Sequence, residues 1–294
     1  MALGNLAQRF LVAVVAVPIL LFILHLHRPE PTWALLFIAS LLAMQEFFAM
    51  TLPKEDRRAA VVMGGLACLV FFWWDPNTLN IYSHSLPRWL AGPVIASSGA
   101  VALFFAVVIP MLWYLFKFRD IATVAQRTTA TVMGIVYAGF LTTYLAKLKV
   151  IDPNERGDTV LLVLLVAWLA DTGGYFAGRF IGGAKLYEAV SPKKTWAGAI
   201  GGLAGSIIGV AGLKLTFADW LTWLDVALIA IPGGILGQMG DLAESLIKRS
   251  TGVKDSGALL PGHGGILDRI DAVLFIAPYV FVYLTAIKPL LSHI

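Results

Sequence analysis

Nine apolar runs constrain the fold of this chain more than any other feature of its sequence. A run of about 20 apolar residues is long enough to cross a bilayer as a helix. The runs lie near residues 10–26, 33–50, 59–74, 94–116, 128–146, 159–181, 195–215, 220–240 and 272–291. We therefore predict an all-α, polytopic integral membrane protein with about nine transmembrane helices.

The composition leaves no room for a sizeable soluble domain. Of 294 residues, 59% are hydrophobic and 14% are charged, whereas soluble domains carry about 25% charged residues. We divide the chain into an N-terminal transmembrane region, 1–150, with about five spans, and a C-terminal transmembrane region, 151–294, with about four spans and cytoplasmic loops. The single cysteine, Cys68, excludes an intramolecular disulfide. The net charge of +4 is too small to indicate nucleic-acid binding.

The distribution of basic residues predicts the orientation of the chain. With the N-terminus inside, most of the 22 Lys and Arg residues fall in segments on the cytoplasmic side, as the positive-inside rule requires. This arrangement places the polar segment 260–271 in the cytoplasm.

The segment "ADTGGYFAGRFIGG", 170–183, contains an acid deep in an apolar run. Asp171, Tyr175 and Arg179 recur every four residues and share one helix face. Asp171 lies about 12 Å from the inner end of the predicted span, where a carboxylate is costly unless it has a partner or a wet cavity. It is therefore a functional candidate; the alternative is a structural pair between Asp171 and Arg179.

The segment "SPKKTW", 191–196, collects hydroxyl groups and positive charge where the chain re-enters the membrane. Its polar residues are Ser191, Lys193, Lys194 and Thr195. We predict that they lie at a helix N-terminus, which favours anions. Taken alone, the segment is more typical of an ordinary positive-inside anchor.

A third polar cluster joins "GQMGDLAESLIKR", 237–249, to "DRID", 268–271. Asp241, Ser245 and Lys248 share one helix face, and Asp268 and Asp271 lie one turn apart at the start of the last span. Mg²⁺ takes one or two protein carboxylates and completes its shell with phosphate and water. The cluster therefore predicts a Mg²⁺–triphosphate site, although the last two aspartates could instead cap the helix.

Two further acids have simpler interpretations. We interpret Glu46 as an interfacial acid near an inside helix end, and Glu244 as the partner of Lys248 on a helix surface. A surface pair of the second kind contributes under about 0.5 kcal/mol.

The third cluster also contains a recognisable signature. The stretch from Ser245 to Asp271 resembles, without a gap, the signature of phosphatidate cytidylyltransferases. The matching residues are Ser245-Leu-Ile-Lys248-Arg249, Lys254-Asp255, Gly257, Leu260-Pro261, His263-Gly264-Gly265 and Asp268-Arg269-Ile270-Asp271. "DTGGYFAGR" and "SPKKTWAG" resemble two further segments of that family. Many members have Glu or Gln where Ala197 stands, so any side-chain contact from that position is missing here.

The resemblance implies the reaction of CTP with phosphatidate to give CDP-diacylglycerol and pyrophosphate, with Mg²⁺ as the divalent metal. It implies an active site on the cytoplasmic side of the C-terminal half, in contact with the lipid bilayer. The compact length favours a bacterial inner membrane, and a homodimer is compatible with the sequence.

The resemblance also implies roles for individual residues. Metal binding is assigned to Asp241, Asp268 and Asp271, with Asp171 as a further candidate. Lys248, Arg249, Lys254 and Arg269 are assigned to the phosphates, and His263 either donates to a phosphate or braces its loop. Further substrate contacts are assigned to Arg179, Ser191, Lys193, Lys194, Thr195, Ser245, Gly264 and Gly265.

Two other functional classes compete with this interpretation. A transporter of phosphorylated or anionic solutes also places charges inside the membrane, but it needs them accessible from both faces. Phosphatidyl transfer from a CDP-lipid to an alcohol also uses metal-bound aspartates. The D-G-x-x-A-R…D-x-x-x-D pattern of that family is absent from the sequence.

Overall fold

A computed structural model describes residues 5–73, 88–152, 156–259 and 264–291. The chain divides into two compact units. The first comprises Met1–Ile151 and Asp255–Leu267, and the second comprises Asp152–Lys254 and Asp268–Ile294. The described residues 255–259 and 264–267 thus pack with helices of the first half of the chain.

Long apolar helices build the first unit. They are α1 (Asn5–His25), α2 (Glu30–Thr51), α3 (Lys54–Trp73), α4 (Arg88–Phe116), α5 (Val124–Gly134) and α6 (Leu141–Val150). A 3₁₀ turn, Ile121–Thr123, precedes α5, and a π-helical segment, Ile135–Phe140, joins α5 to α6. Helix α2 has a proline in its first turn and ends where Leu52 becomes extended before Pro53, as the backbone preferences of proline favour.

A buried ion pair ties α3 to α5 inside the first unit. Arg127 Nη1 lies 2.9 Å from Asp56 Oδ2, and each side chain is 5% exposed. Arg127 also donates to the carbonyl oxygen of Phe118. Removing either partner would leave an uncompensated buried charge, so the loss of one of these side chains should be strongly destabilising.

The second unit contains four long helical segments and one short hairpin. They are α7 (Asp158–Phe180), β1 (Lys185–Tyr187), β2 (Ser191–Thr195), α8 (Trp196–Thr216), α9 (Trp223–Ser250), α10 (Leu267–Val282) and α11 (Lys288–Leu291), with a π-helical segment, Tyr283–Ile287, before α11. Glycine allows α7 and α8 to approach closely: a Cβ added at Gly205 would overlap the carbonyl group of Leu169.

The helices confirm the predicted class of protein. Six helical segments in the described parts of the chain are long and apolar enough to cross a membrane: Glu30–Thr51, Ile121–Val150, Asp158–Phe180, Trp196–Thr216, Trp223–Ser250 and Leu267–Leu291. Shorter apolar helices occur at Val14–His25 and Val101–Phe116. The chain is therefore a mainly α-helical integral membrane protein, while the number of nine spans stays a prediction.

The hairpin is a departure from the all-α prediction. Strands β1 and β2 pair antiparallel, with Lys185 opposite Thr195 and Tyr187 opposite Ser191. Most of the segment predicted at a helix N-terminus is therefore strand, and Thr195 alone caps α8, accepting a hydrogen bond from the backbone N–H of Gly198 at 3.1 Å.

Candidate active site

Acidic and basic side chains of the second unit gather around the C-terminal end of α9. Helix α7, strand β2 and the start of α10 contribute to the same cluster. Its members, which we call the charged cluster, are Asp171, Lys194, Asp241, Glu244, Lys248, Asp268, Arg269 and Asp271.

Strand β2 brings Lys194 to α9. Its Nζ lies 2.6 Å from Asp241 Oδ2, and the two side chains are 26% and 33% exposed. Successive residues of a strand point to opposite faces, so Lys193 is exposed while Lys194 is half-buried. Ser245 donates from Oγ to the other oxygen of Asp241 at 3.3 Å. The hairpin thus selects one lysine of the pair for contact with the carboxylate.

Lys248 bridges two buried carboxylates. Its Nζ lies 2.5 Å from Glu244 Oε2 and 2.7 Å from Asp268 Oδ1. Glu244 is 0% exposed, and its second oxygen, Oε1, has no hydrogen-bond partner among the described residues. The predicted pair of Glu244 with Lys248 is confirmed, but its surface location is wrong because α10 brings Asp268 onto this face of α9.

Three aspartates from three helices lie within electrostatic range of one another. Asp171 of α7 and Asp271 of α10 both interact with Asp241 of α9. The close approach of α9 and α10 depends on Gly240, because a Cβ there would come within 3 Å of the carbonyl oxygen of Asp271. Lys194 and Arg269 provide positive charge near Asp171.

The alternative pairing of Asp171 with Arg179 is wrong. Two turns of helix separate these residues by about 12 Å. Arg179 Nη1 instead donates to the hydroxyl oxygen of Tyr175 at 3.0 Å, at the exposed surface. Asp171 consequently remains available to the charged cluster.

The carboxylates suit a hard divalent cation by their chemistry. Among the described residues, no three Asp, Glu, His or Cys side chains form a ready metal-binding group. Mg²⁺ commonly needs only one or two protein carboxylates, because phosphate and water supply its other ligands. Five acids face three bases in the charged cluster, and this excess of negative charge fits a divalent cation.

The remaining predicted site residues differ in exposure, and no contact with the charged cluster is established for those that the structure describes. Arg249 and Lys254 are exposed, and Ser191 is half-buried on β2. Gly264 has a positive φ of 79°, and Gly265 is buried. His263 lies outside the described residues.

Sequence reasoning missed the role of one acid, Glu46 of α2. This side chain is buried and accepts hydrogen bonds from Ser256 and from the backbone of Ile266 and Leu267. The only signal in the sequence is an acid inside an otherwise apolar helix, a placement that by itself indicates a function.

Known proteins resemble this chain over most of its length. A model of the cytidylyltransferase family matches residues 7–287. The phosphatidate cytidylyltransferase of Synechocystis sp. is 31% identical over 279 residues, which cover 86% of this chain and 88% of that protein. The phosphatidate cytidylyltransferase of Bacillus subtilis is 30% identical over 280 residues, covering 94% and 97% respectively. The enzyme of that name from Staphylococcus haemolyticus is 50% identical over 127 residues, covering 42% of this chain and 48% of that protein.

Proposed function

The chain belongs to the cytidylyltransferase family, and from this premise we propose that it transfers CMP from CTP to phosphatidate. The products are CDP-diacylglycerol and pyrophosphate. The observation that carries the proposal is the charged cluster, in which carboxylates from α7, α9 and α10 meet lysines from β2 and α9. Two relatives matched over most of their own length are phosphatidate cytidylyltransferases, which fits this substrate pair.

The reaction needs little from a general base. A phosphate oxygen of phosphatidate attacks the α-phosphorus of CTP, and the bond from that phosphorus to the oxygen bridging to the β-phosphate breaks. The electron pair of this bond leaves with pyrophosphate. Because the nucleophile is already an anion, the catalytic task is to hold two anionic substrates in line and to stabilise the charge of the leaving group.

The basic residues of the charged cluster can perform this task. Lys194 and Lys248 are positioned by carboxylates, which hold their ammonium groups in place before a substrate arrives. Phosphate oxygens are equivalent partners for an ammonium group. We therefore assign Lys194, Lys248 and Arg269 to the phosphates, with Arg249 and Lys254 at the exposed edge.

Asp241, Asp268 and Asp271, with Asp171, would hold Mg²⁺. When Mg²⁺ is bound, it neutralises part of the negative charge of the triphosphate. Asp241 and Asp268 also hold the ammonium groups of Lys194 and Lys248 in place, so these two carboxylates serve the site in two ways.

We also propose that Lys194 and His263 both face the cytoplasm of a bacterial cell, where CTP is present, because most Lys and Arg residues fall on that side of the predicted topology. Lys194→Cys or His263→Cys, each in a Cys68→Ala background, tests this orientation. An impermeant maleimide should modify neither cysteine in intact cells and both after the membrane is opened. Modification of either cysteine from outside would contradict the orientation.

The proposed activity is tested with purified protein, labelled CTP and vesicles that contain phosphatidate. We expect CMP-labelled lipid and pyrophosphate in equal amounts, with Mg²⁺ required. Diacylglycerol is the matched control substrate, and it should give no product because it has no phosphate nucleophile. Uptake of an anionic solute by reconstituted vesicles, without turnover of CTP, would favour a transporter instead.

A further inference from the structure

Glu46 joins two ends of one loop within the first unit. The side chain is 9% exposed on α2. Its Oε2 accepts from Ser256 Oγ at 3.1 Å and from the backbone N–H of Leu267 at 2.9 Å. Its Oε1 accepts from the backbone N–H of Ile266 at 3.0 Å. A single carboxylate thus joins Ser256 to Ile266 and Leu267. We call the described residues on either side of this contact, 256–259 and 264–267, the clasped loop.

The loop is shaped for this carboxylate. A Cβ added at Gly257 or at Gly265 would come within 3 Å of the carboxylate of Glu46. Ser256 and Leu267 are themselves 6% and 0% exposed. Because the contact is buried and leaves no space for a side chain at either glycine, removing the carboxylate would leave its donors without their acceptor, which is costly.

The two backbone donors lie at the start of α10, which begins at Leu267. The first N–H groups of a helix have no partner within the helix, and they favour a negative charge. Glu46 therefore caps α10 from another helix. Asp268, Arg269 and Asp271 follow within the first turn and a half of that helix.

We propose that Glu46 is a positioning residue for the active site, an inference that rests on the function proposed above. By fixing the first turn of α10, its carboxylate sets the direction in which Asp268 and Asp271 leave the backbone. It acts through the helix and does not itself touch substrate. An error of about 1 Å in the placement of catalytic groups can cost about 10²-fold in rate, so loss of the cap should appear in turnover.

The test compares Glu46→Gln with Asp56→Asn. Each substitution replaces a buried carboxylate of the first unit by its amide, but Asp56 pairs with Arg127 and makes no hydrogen bond that we observe with the clasped loop. Three quantities are measured on each purified protein: the melting temperature, kcat and KM for CTP, and backbone hydrogen exchange in peptides from 255–271.

For Glu46→Gln we expect exchange in 255–271 to become at least about tenfold faster, because two N–H groups lose a charged acceptor. Its kcat should fall at least about tenfold while KM for CTP changes less than about threefold, as for a defect in placement. Asp56→Asn should lower the melting temperature at least as much, with kcat per folded protein and loop exchange within about twofold of wild type.

Ser256→Ala provides a milder second variant in case Glu46→Gln does not fold. It removes one of the three donors, so it should shift loop exchange and kcat in the same direction by a smaller factor. Adding it to Glu46→Gln should cause little further loss, since the two residues share one contact.

Three results would overturn the role of Glu46. The first is unchanged loop exchange in Glu46→Gln, and the second is faster loop exchange in that variant with wild-type kcat. The third is an equal loss of kcat in Glu46→Gln and Asp56→Asn, because stability would then explain both. A wild-type protein that forms no CDP-lipid would instead refute the proposed function, whereas an active Glu46→Gln variant refutes only the positioning role.

Discussion

The two ends of α9 each pair a carboxylate with a lysine, yet the two pairs differ in how completely they are satisfied. At the start of α9, Asp225 forms a capping box with Thr222 and accepts from Tyr283 at 2.6 Å and from Lys288 at 2.9 Å. Both of its oxygens are used, and the residue is 3% exposed. This end of the helix is a closed structural network.

The other end of α9 carries an excess of acids. Asp171, Asp241 and Asp271 lie within electrostatic range of one another, and Glu244 buries an oxygen with no hydrogen-bond partner among the described residues. Buried polar atoms are nearly always satisfied by protein, water or an ion, so a water molecule or a cation is the expected partner of this oxygen. An ion pair by itself therefore does not mark an active site, and our proposal rests on the surplus of negative charge around the second pair.

The largest loss of turnover is expected from Asp268→Asn and Asp271→Asn. Each substitution keeps the size of the side chain but removes the charge that would hold Mg²⁺ beside the triphosphate. We expect kcat to fall at least about 10²-fold, near 2.7 kcal/mol at 1.36 kcal/mol per decade. Initial rates per folded protein measure this loss.

Glu55→Gln is the matched control for these two variants, since Glu55 is an exposed acid in the first turn of α3. It should retain wild-type turnover. Near-normal rates in both aspartate variants would remove the functional distinction between the two ends of α9.

A smaller loss of turnover is expected from Lys248→Met, together with a loss of stability. The variant leaves Glu244 and Asp268 buried without their shared ammonium group, which should lower the free energy of unfolding by roughly 3 kcal/mol. We expect turnover to fall about 30-fold, because the phosphates lose one cation. Denaturation curves and initial rates measure the two effects separately.

Adding Glu244→Gln to Lys248→Met sharpens this prediction. The double variant removes one of the uncompensated charges, so it should regain part of the stability but none of the turnover. Recovery of both quantities together would show that Lys248 is structural, like Lys288 at the other end of the helix.

The smallest effect on turnover is expected from Lys194→Met. Both partners of the Lys194–Asp241 pair are partly exposed, so the loss of stability should stay below about 1 kcal/mol. We expect KM for CTP to rise about tenfold with a smaller change in kcat, because a phosphate contact is lost. Lys185→Met, on the neighbouring strand, is the control and should leave both constants unchanged; equal effects of the two substitutions would contradict a specific role for Lys194.

Local patterns in the sequence predicted much of this arrangement. The apolar runs predicted the helices because a membrane span requires a long apolar segment whatever its neighbours are. The spacing of Glu244 and Lys248 predicted their contact, since residues four apart share a helix face. The burial of that contact was not predictable, because it depends on where α10 packs.

Contacts between distant parts of the chain account for most of what the sequence did not predict. Glu46 and Ser256 are 210 residues apart, and no spacing rule connects them. The hairpin was also missed, because Ser191–Thr195 contains a proline and two lysines and lacks the alternating pattern of a strand. Its pairing with Lys185–Tyr187 supplies the order that the segment itself does not indicate.

One measurement tests the distinction between the proposed active-site end of α9 and its structural end most directly. It compares turnover per folded protein in Asp241→Asn and Asp225→Asn, side by side. For Asp241→Asn we predict CDP-diacylglycerol synthesis at least about 10²-fold below wild type, with a small change in stability because the side chain is 33% exposed. For Asp225→Asn we predict turnover within about twofold of wild type and a loss of unfolding free energy of about 2 kcal/mol, since its buried network loses its charge. A fully active Asp241→Asn beside an inactive but folded Asp225→Asn would contradict the account.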